Sequence, residues 1–218
     1  MSQEDRPNEL ADKTRELLHG SLKHVRAAAL AAALIPLASV AASKPVVEQC
    51  PSGVCPPPPA FTVPSPCDFI TSGGFVFADP PTAKATFGAH GGCKHGAFWG
   101  HVNYVDHGGA HPYHVNSTEI TGYLINPDFP NARDICGWAR TNDNEVVRFR
   151  VRLEDNGEPG ILDTFGIRLS NGYLVTRRPL GDGGPGGGNV QLHGANPSST
   201  APSPEPTEEE MCGDLLTP

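Results

Sequence analysis

The sequence predicts an all-β protein: a single antiparallel β-sandwich or barrel-like domain of about nine short strands, with disordered termini. Three observations carry that expectation. Val147, Phe149, Val151 and Leu153 alternate with Arg148, Arg150 and Arg152, which gives one apolar face and one wet, basic face at a strand period. Turn-forming clusters recur at short spacing, among them Asp79-Pro80-Pro81, His107-Gly108-Gly109, Asn126-Pro127-Asp128, Asn142-Asp143-Asn144 and Ser170-Asn171-Gly172. After residue 42, no segment holds a helical apolar period long enough to specify a helix.

From the N-terminus, Lys23 and Arg26 precede an apolar run over residues 27–42, which Pro36 breaks and which ends in Val40-Ala41-Ala42 before Ser43. A basic flank, a short apolar stretch and small terminal residues predict a secretory signal peptide over residues 1–42, with an uncleaved anchor as the alternative. The run of 16 residues falls short of the roughly 20 that span a bilayer, so no membrane span is expected in the mature chain once the signal is removed. Residues 43–66 form a Pro-rich linker, in which Pro56-Pro57-Pro58-Pro59 favours a stiff, extended polyproline conformation.

The β domain is expected over residues 67–194, with strands at 69–77, 83–89, 98–105, 113–125, 132–139, 145–154, 164–169, 173–177 and 189–193. Between the sixth and seventh of these, Asp155-Asn156-Gly157-Glu158-Pro159-Gly160 interrupts the alternation, so the pair reads as a β-hairpin with an acidic tip. The glycine-rich stretch over residues 181–188 lacks the Lys-Ser/Thr of a phosphate loop and precedes a strand, not a helix; it reads as a flexible loop. Residues 195–218 are rich in Ser, Pro, Thr and Glu, and predict a disordered acidic tail.

The 218 residues carry a net charge of −8, and residues 1–42 hold five basic and five acidic residues, so the remainder is also −8. Such a chain has no general basic surface for nucleic acid. Arg148, Arg150 and Arg152, with Arg177 and Arg178 later, are a local exception; a solvated strand face is the simpler reading and an anion-binding patch the alternative.

Six cysteines, Cys50, Cys55, Cys67, Cys93, Cys136 and Cys212, all follow residue 42 and fit an exported chain in an oxidising compartment, periplasmic or extracellular. Spacing does not choose among the possible pairings. Cys50 and Cys55 bracket a loop short enough to close on itself. Cys93 and Cys136, both in the central domain, are the preferred second pair, which leaves Cys67 and Cys212 to join the domain's ends.

Two clusters invite a metal. Asp155, Asn156, Glu158 and Asp163 set four oxygen-bearing side chains within nine residues, as calcium wants in a turn-rich loop, although the spacing departs from an EF-hand and the side chains could instead cap their own turn. Six histidines fall between His90 and His114, and His107, His111 and His114 are the tightest group for a transition metal; local hydrogen bonding is the simpler reading. No cofactor is certain. Catalysis finds little support: there is no G-x-S-x-G elbow, and Asp155, Glu158 and Asp163 on a hairpin tip lack the burial that raises a general acid's pKa. Asn116-Ser117-Thr118 is a glycosylation sequon.

Six segments together resemble a family of bacterial extracellular β modules, the post-COAP-1 type. They are Ile70-Thr71-Ser72-Gly73-Gly74-Phe75, Ala83-Lys84-Ala85-Thr86-Phe87-Gly88, Gly100-His101-Val102-Asn103-Tyr104-Val105-Asp106-His107, residues 155–160, Asp163-Thr164-Phe165 and Gly188-Asn189-Val190-Gln191-Leu192-His193. They run in the family's order over more than half the chain. The resemblance implies a secreted or cell-surface β domain with no established enzyme activity. The chain departs from the family in its extra cysteines and its histidine-rich loop. Taken together, the sequence predicts a non-catalytic secreted or cell-envelope module for binding, adhesion or structure, with an extracellular protein or polysaccharide as partner. A metal-binding protein or metal-dependent hydrolase is the alternative.

Overall fold

The structure, a computed structural model, describes residues 60–78 and 83–216. The chain divides into two units, Met1–Gly53 and Val54–Pro218, and the described residues belong to the second. The expected signal segment, most of the linker and the Cys50–Cys55 loop lie outside the described residues.

Nine strands form: β1 (Phe69–Ala78), β2 (Ala83–Lys94), β3 (Ala97–Asp106), β4 (Tyr113–Asn126), β5 (Phe129–Thr141), β6 (Val146–Glu154), β7 (Thr164–Leu169), β8 (Leu174–Pro179) and β9 (Gly188–His193). They make one antiparallel sheet in the order β8-β7-β6-β5-β4-β3-β2-β1-β9. The protein is therefore all-β, and of the two expected architectures it takes the barrel-like one. The sheet curls: Phe87 of β2 stacks on Phe165 of β7 with ring centroids 4.0 Å apart, and these strands are five places apart in the sheet. Alternation explains the core, since Val147, Phe149, Val151 and Leu153 of β6 all point inward and are buried. Strand β2 runs five residues beyond its expected end because Gly91 and Gly92 stay paired with β1 and β3. A Cβ at Gly91 would press on Ile135, and one at Gly92 on Phe69, so glycine lets two side chains lie against this strand.

The described disulfides are Cys67–Cys93 and Cys136–Cys212, which corrects the expected Cys93–Cys136 and Cys67–Cys212 pairing. The reason is the pleat. Cys136 pairs across strands with Arg150 and so faces outward, whereas Cys93 shares the inward face of Gly91, beside Ile135. Two cysteines pointing to opposite faces of a sheet cannot be bridged. Cys67 precedes Phe69, which pairs with Gly92, and so arrives next to Cys93.

Cys212 brings the C-terminal segment onto the outer face of the sheet. The composition of residues 195–218 predicts disorder; the described part, through residue 216, holds a short helix, α1 (Glu208–Cys212), followed by a 3-10 turn, Gly213–Leu216. Thr207 caps α1 by accepting from the Glu210 N–H, and the Glu210 carboxylate returns to the Thr207 N–H. Met211, Cys212 and Leu215 are buried. Gly122 of β4 makes the seat, because a Cβ there would lie 2.6 Å from that of Met211. Two apolar residues and one disulfide, correctly placed, order a segment whose average composition would not.

This strap changes the basic face of β6. Arg148 donates to the Glu209 carbonyl and Arg150 to the Leu215 carbonyl. Arg150 and Arg152 both donate to Asp134, which is 1% exposed, and the Phe61 ring lies against both guanidinium groups. The expected solvated face is instead ion-paired and partly covered by the chain's own tail, while Arg150 and Arg152 still line an open groove of about 270 Å³ with Arg168, Thr176 and Arg177.

Candidate functional site

The acidic hairpin tip has a structural task. Strand β9 is an edge of the sheet, and the N–H groups it does not give to β1 need acceptors. Val190 N–H donates to Asp163 Oδ2 at 2.7 Å, and Leu192 N–H to Asp155 Oδ2 at 2.8 Å. The second oxygens are also taken: Asn156 N–H donates to Asp163 Oδ1 and Gly157 N–H to Asp155 Oδ1. Asn189 donates to Glu158, and Asn131 to the Asn156 side-chain carbonyl. Asp155, Asn156 and Asp163 therefore spend their side-chain oxygens on N–H donors, and Glu158 spends one of its two. The β6–β7 loop closes the curled sheet against β9 with side-chain carboxylates where a full barrel would use a backbone ladder. The same bonds remove Asp155, Glu158 and Asp163 as a free acid–base pair.

Of the expected histidine group, His111 and His114 line one shallow pocket with Asn116 and Arg140, and His107 is engaged elsewhere. His107 hydrogen-bonds Thr86 through Nε2 at 3.1 Å. His111 is exposed in the loop before β4, and His114 lies on β4 opposite Val105. Among the described residues, no three His, Cys, Asp or Glu side chains are placed to hold a metal ion.

Each end of the curled sheet carries a polar plug. At one, Asp68 accepts from Tyr123 at 2.6 Å and forms a bidentate pair with the buried Arg133. At the other, Tyr173 donates to Asp106 at 2.7 Å and shares a 2.7 Å hydrogen bond with Tyr104. Burial, first of all, pushes the Tyr104, Tyr123 and Tyr173 hydroxyls above their ordinary range, so they serve as donors and not as phenolate nucleophiles. The glycine-rich segment packs down likewise: Phe75 N–H donates to the Gly187 carbonyl, and a Cβ at Gly187 would strike Gly181. It is a folded clasp on β1, where a flexible loop was expected.

Besides the basic groove over β6–β8, the outer face of β9, β1, β2, β3 and β4 is open, and it is organised in rows by register. One row is His193, Phe69, Gly92 and Trp99; the next is Gln191, Thr71, His90 and His101; the third is Asn189, Gly73, Gly88, Asn103 and Asn116; the fourth begins Phe75, Thr86, Val105 and His114. Phe69 stacks on His193 at 4.4 Å, while Trp99 sits 5.4 Å from His90. Hydrogen bonds fix the imidazoles: Thr71 with His193 at 2.9 Å and Ser117 with His101 at 3.0 Å. Beside Trp99 and His101 a shallow groove of about 310 Å³ is lined by Ser117, Thr118 and Glu119. The arrangement offers rings, amides and hydroxyls, the groups that recognise a polar ligand with apolar faces.

Five of the segments that carry the family resemblance lie on these neighbouring strands or on the loop that caps β9. In the sequence the histidines stand out, and Gly73, Gly88 and Asn103 do so only as parts of the segments that carry the resemblance, whereas Phe69 and Trp99 do not. The signal was present in β1, where Phe69, Thr71, Gly73, Phe75 and Phe77 alternate with inward residues. Because both sets contain apolar residues, the pattern alone does not say which face is wet. The two disulfides fit an oxidising environment, and among the described residues no helix is long and apolar enough to cross a membrane. Comparison with protein-family models, with curated proteins and with solved structures found no match to the chain.

Proposed function

We propose that this chain is a non-catalytic secreted or cell-envelope β module, akin to the extracellular modules it resembles, that binds a ligand through the outer face of β9, β1, β2, β3 and β4. The observation that carries the reading is a contrast between two outer faces of one sheet. Over β4–β6 the chain lays its own strap, with a capped helix and a disulfide. Over β9–β4 it leaves Gln191, Gly73, His101, Asn103 and Asn116 exposed beside partly exposed Trp99 and Phe69. Ring-bearing, hydrogen-bonding surface left open on a stapled scaffold suits binding. The hairpin acids support the non-catalytic part, since they are engaged in closing the fold.

The test is an array of immobilised polysaccharides and extracellular proteins probed with the full chain and with a His101→Ala/Asn103→Ala variant. Wild type is expected to bind at least one polymer without degrading it, and the variant to bind about tenfold or more weakly, which is ~1.4 kcal/mol. Undiminished binding by the variant, or release of cleaved product, would refute the proposal.

A further inference from the structure

We infer that the ligand is an uncharged polysaccharide whose chain crosses strands β9 to β4 in a trough floored by Gly73 and Gly88; this rests on the ligand face proposed above. Strands β1, β2 and β3 hold six glycines, and four have a packing reason. A Cβ at Gly74 would strike Gly187, at Gly91 Ile135, at Gly92 Phe69, and at Gly100 the His90 carbonyl. Gly73 and Gly88 have none: a Cβ at Gly88 meets nothing within 4 Å, and one at Gly73 meets only the Phe87 carbonyl at 3.9 Å. Neither has a positive φ. Glycine inside a strand destabilises it and marks places where another molecule's atoms approach the backbone. These two glycines face each other across β1 and β2, on the open side of the sheet.

The floor continues in register through Asn189 on one side and Asn103 and Asn116 on the other. Five strands at sheet spacing make a trough about 19 Å long. Thr71, His90 and His101 form one wall; Phe75, Thr86 and Val105 form the other. Asn103 donates to Asn116 at 2.5 Å, a single bond between two amides that each carry two donors and an acceptor oxygen. Vicinal hydroxyls, which both donate and accept, match the remaining capacity.

Charge selects the occupant. The chain has 24 acidic and 16 basic residues, yet no Asp, Glu, Lys or Arg lies in the floor or walls. Charges stand at the margins: Glu158 behind Asn189, Arg140 opposite Asn116, Lys84 over the Phe75 ring, and Glu119 in the groove beyond His101. A polyanion would find no row of cations there, and a polycation no row of acids. An uncharged polyhydroxyl chain leaves no charge unpaired in the trough.

The test is affinity electrophoresis of the full chain through gels containing xylan, galactomannan, dextran, starch or mixed-linkage glucan, with alginate and heparin as charged comparisons. The variants are Gly88→Thr, Gly88→Ala and Gly73→Thr/Gly88→Thr, each with its melting temperature measured. Wild type is expected to be retarded by at least one neutral polysaccharide. The threonine variants should bind it at least about tenfold more weakly while melting at the same or a higher temperature. Several outcomes overturn the inference. One is retardation by no neutral polysaccharide. Another is equal retardation of wild type and variants. A third is a marked fall in melting temperature even for Gly88→Ala, which would make the glycines bends in the sheet. Retardation by alginate or heparin alone, lost in His101→Ala/Asn103→Ala, would overturn the ligand class and leave the ligand face standing.

Discussion

Asp163 shows how far residue identity reaches. Its carboxylate is fully buried and accepts from the main chain of both Val190 and Asn156. Asp163→Ala would strand two N–H groups, one of them in the core, and should destabilise the domain by about 2–4 kcal/mol. Asp163→Asn keeps the shape but turns an NH₂ towards one of the two donors, so it should recover only part of that loss. Urea unfolding of both variants checks this, and an unchanged midpoint for alanine would remove the carboxylate from the closure. That four oxygens crowd into this hairpin was legible in the sequence. Their acceptor role was not, because it depends on Val190 and Leu192 of β9, which lie 27 and 37 residues beyond Asp163 and Asp155. His90 gives a second prediction at this scale. Partial burial, and then the neighbouring His101, hold its pKa below the ordinary 6.5. The unfolded chain therefore takes up this proton first. The contribution is fully present above about pH 6.5 and is lost as pH falls through the folded value. His90→Gln should flatten the fall in stability below about pH 6.5 relative to wild type; identical slopes in the two proteins would contradict it.

The elements themselves were written plainly. All nine expected strands are present, most within two or three residues of their expected ends, since a half-buried antiparallel strand must alternate and its turns need Gly, Pro, Asn or Asp. The strap was hidden for the opposite reason. An isolated helix of five residues is not stable, and α1 exists because its two ends are held by Thr207 and by the Cys136–Cys212 bridge. That bridge spans 76 residues, for which loop-closure entropy gives up to about 4.5 kcal/mol. A Cys136→Ser/Cys212→Ser variant should consequently release α1 before the sheet melts. Hydrogen exchange should show lost protection at Met211 and at the β4–β6 surface, with β1–β3 protection retained. Uniform loss across all strands would mean that strap and sheet unfold as one.

At the scale of the molecule, the topology is a meander in which each strand pairs with its sequence neighbour, and the one departure is β9 returning to β1. That return brings residue 193 beside residue 69 and turns a ribbon into a curled wall. Three devices then hold the curl: the carboxylates of the β6–β7 loop on β9, the Tyr104–Tyr173–Asp106 plug, and the stacked Phe87 and Phe165 rings. Among the described residues the hairpin carboxylates are already bonded to N–H donors, so added metal ions should not raise the stability, whereas breaking the disulfides should lower it. Cys67–Cys93, with a separation of 26, adds up to about 3.5 kcal/mol to the contribution of the longer bridge. For a domain of this size each kcal/mol moves the melting temperature by roughly 2–6 °C, so reduction should lower it by at least about 10 °C. Millimolar calcium, zinc or EDTA should leave it within about 1 °C, because a ligand stabilises only what it binds. A clear rise with calcium would mean that Asp155 and Asp163 can trade their N–H donors for the ion, and would return the hairpin tip to the list of ligand sites. If reduction shifted the transition little, the curled sheet would owe its stability to packing and side-chain closure alone.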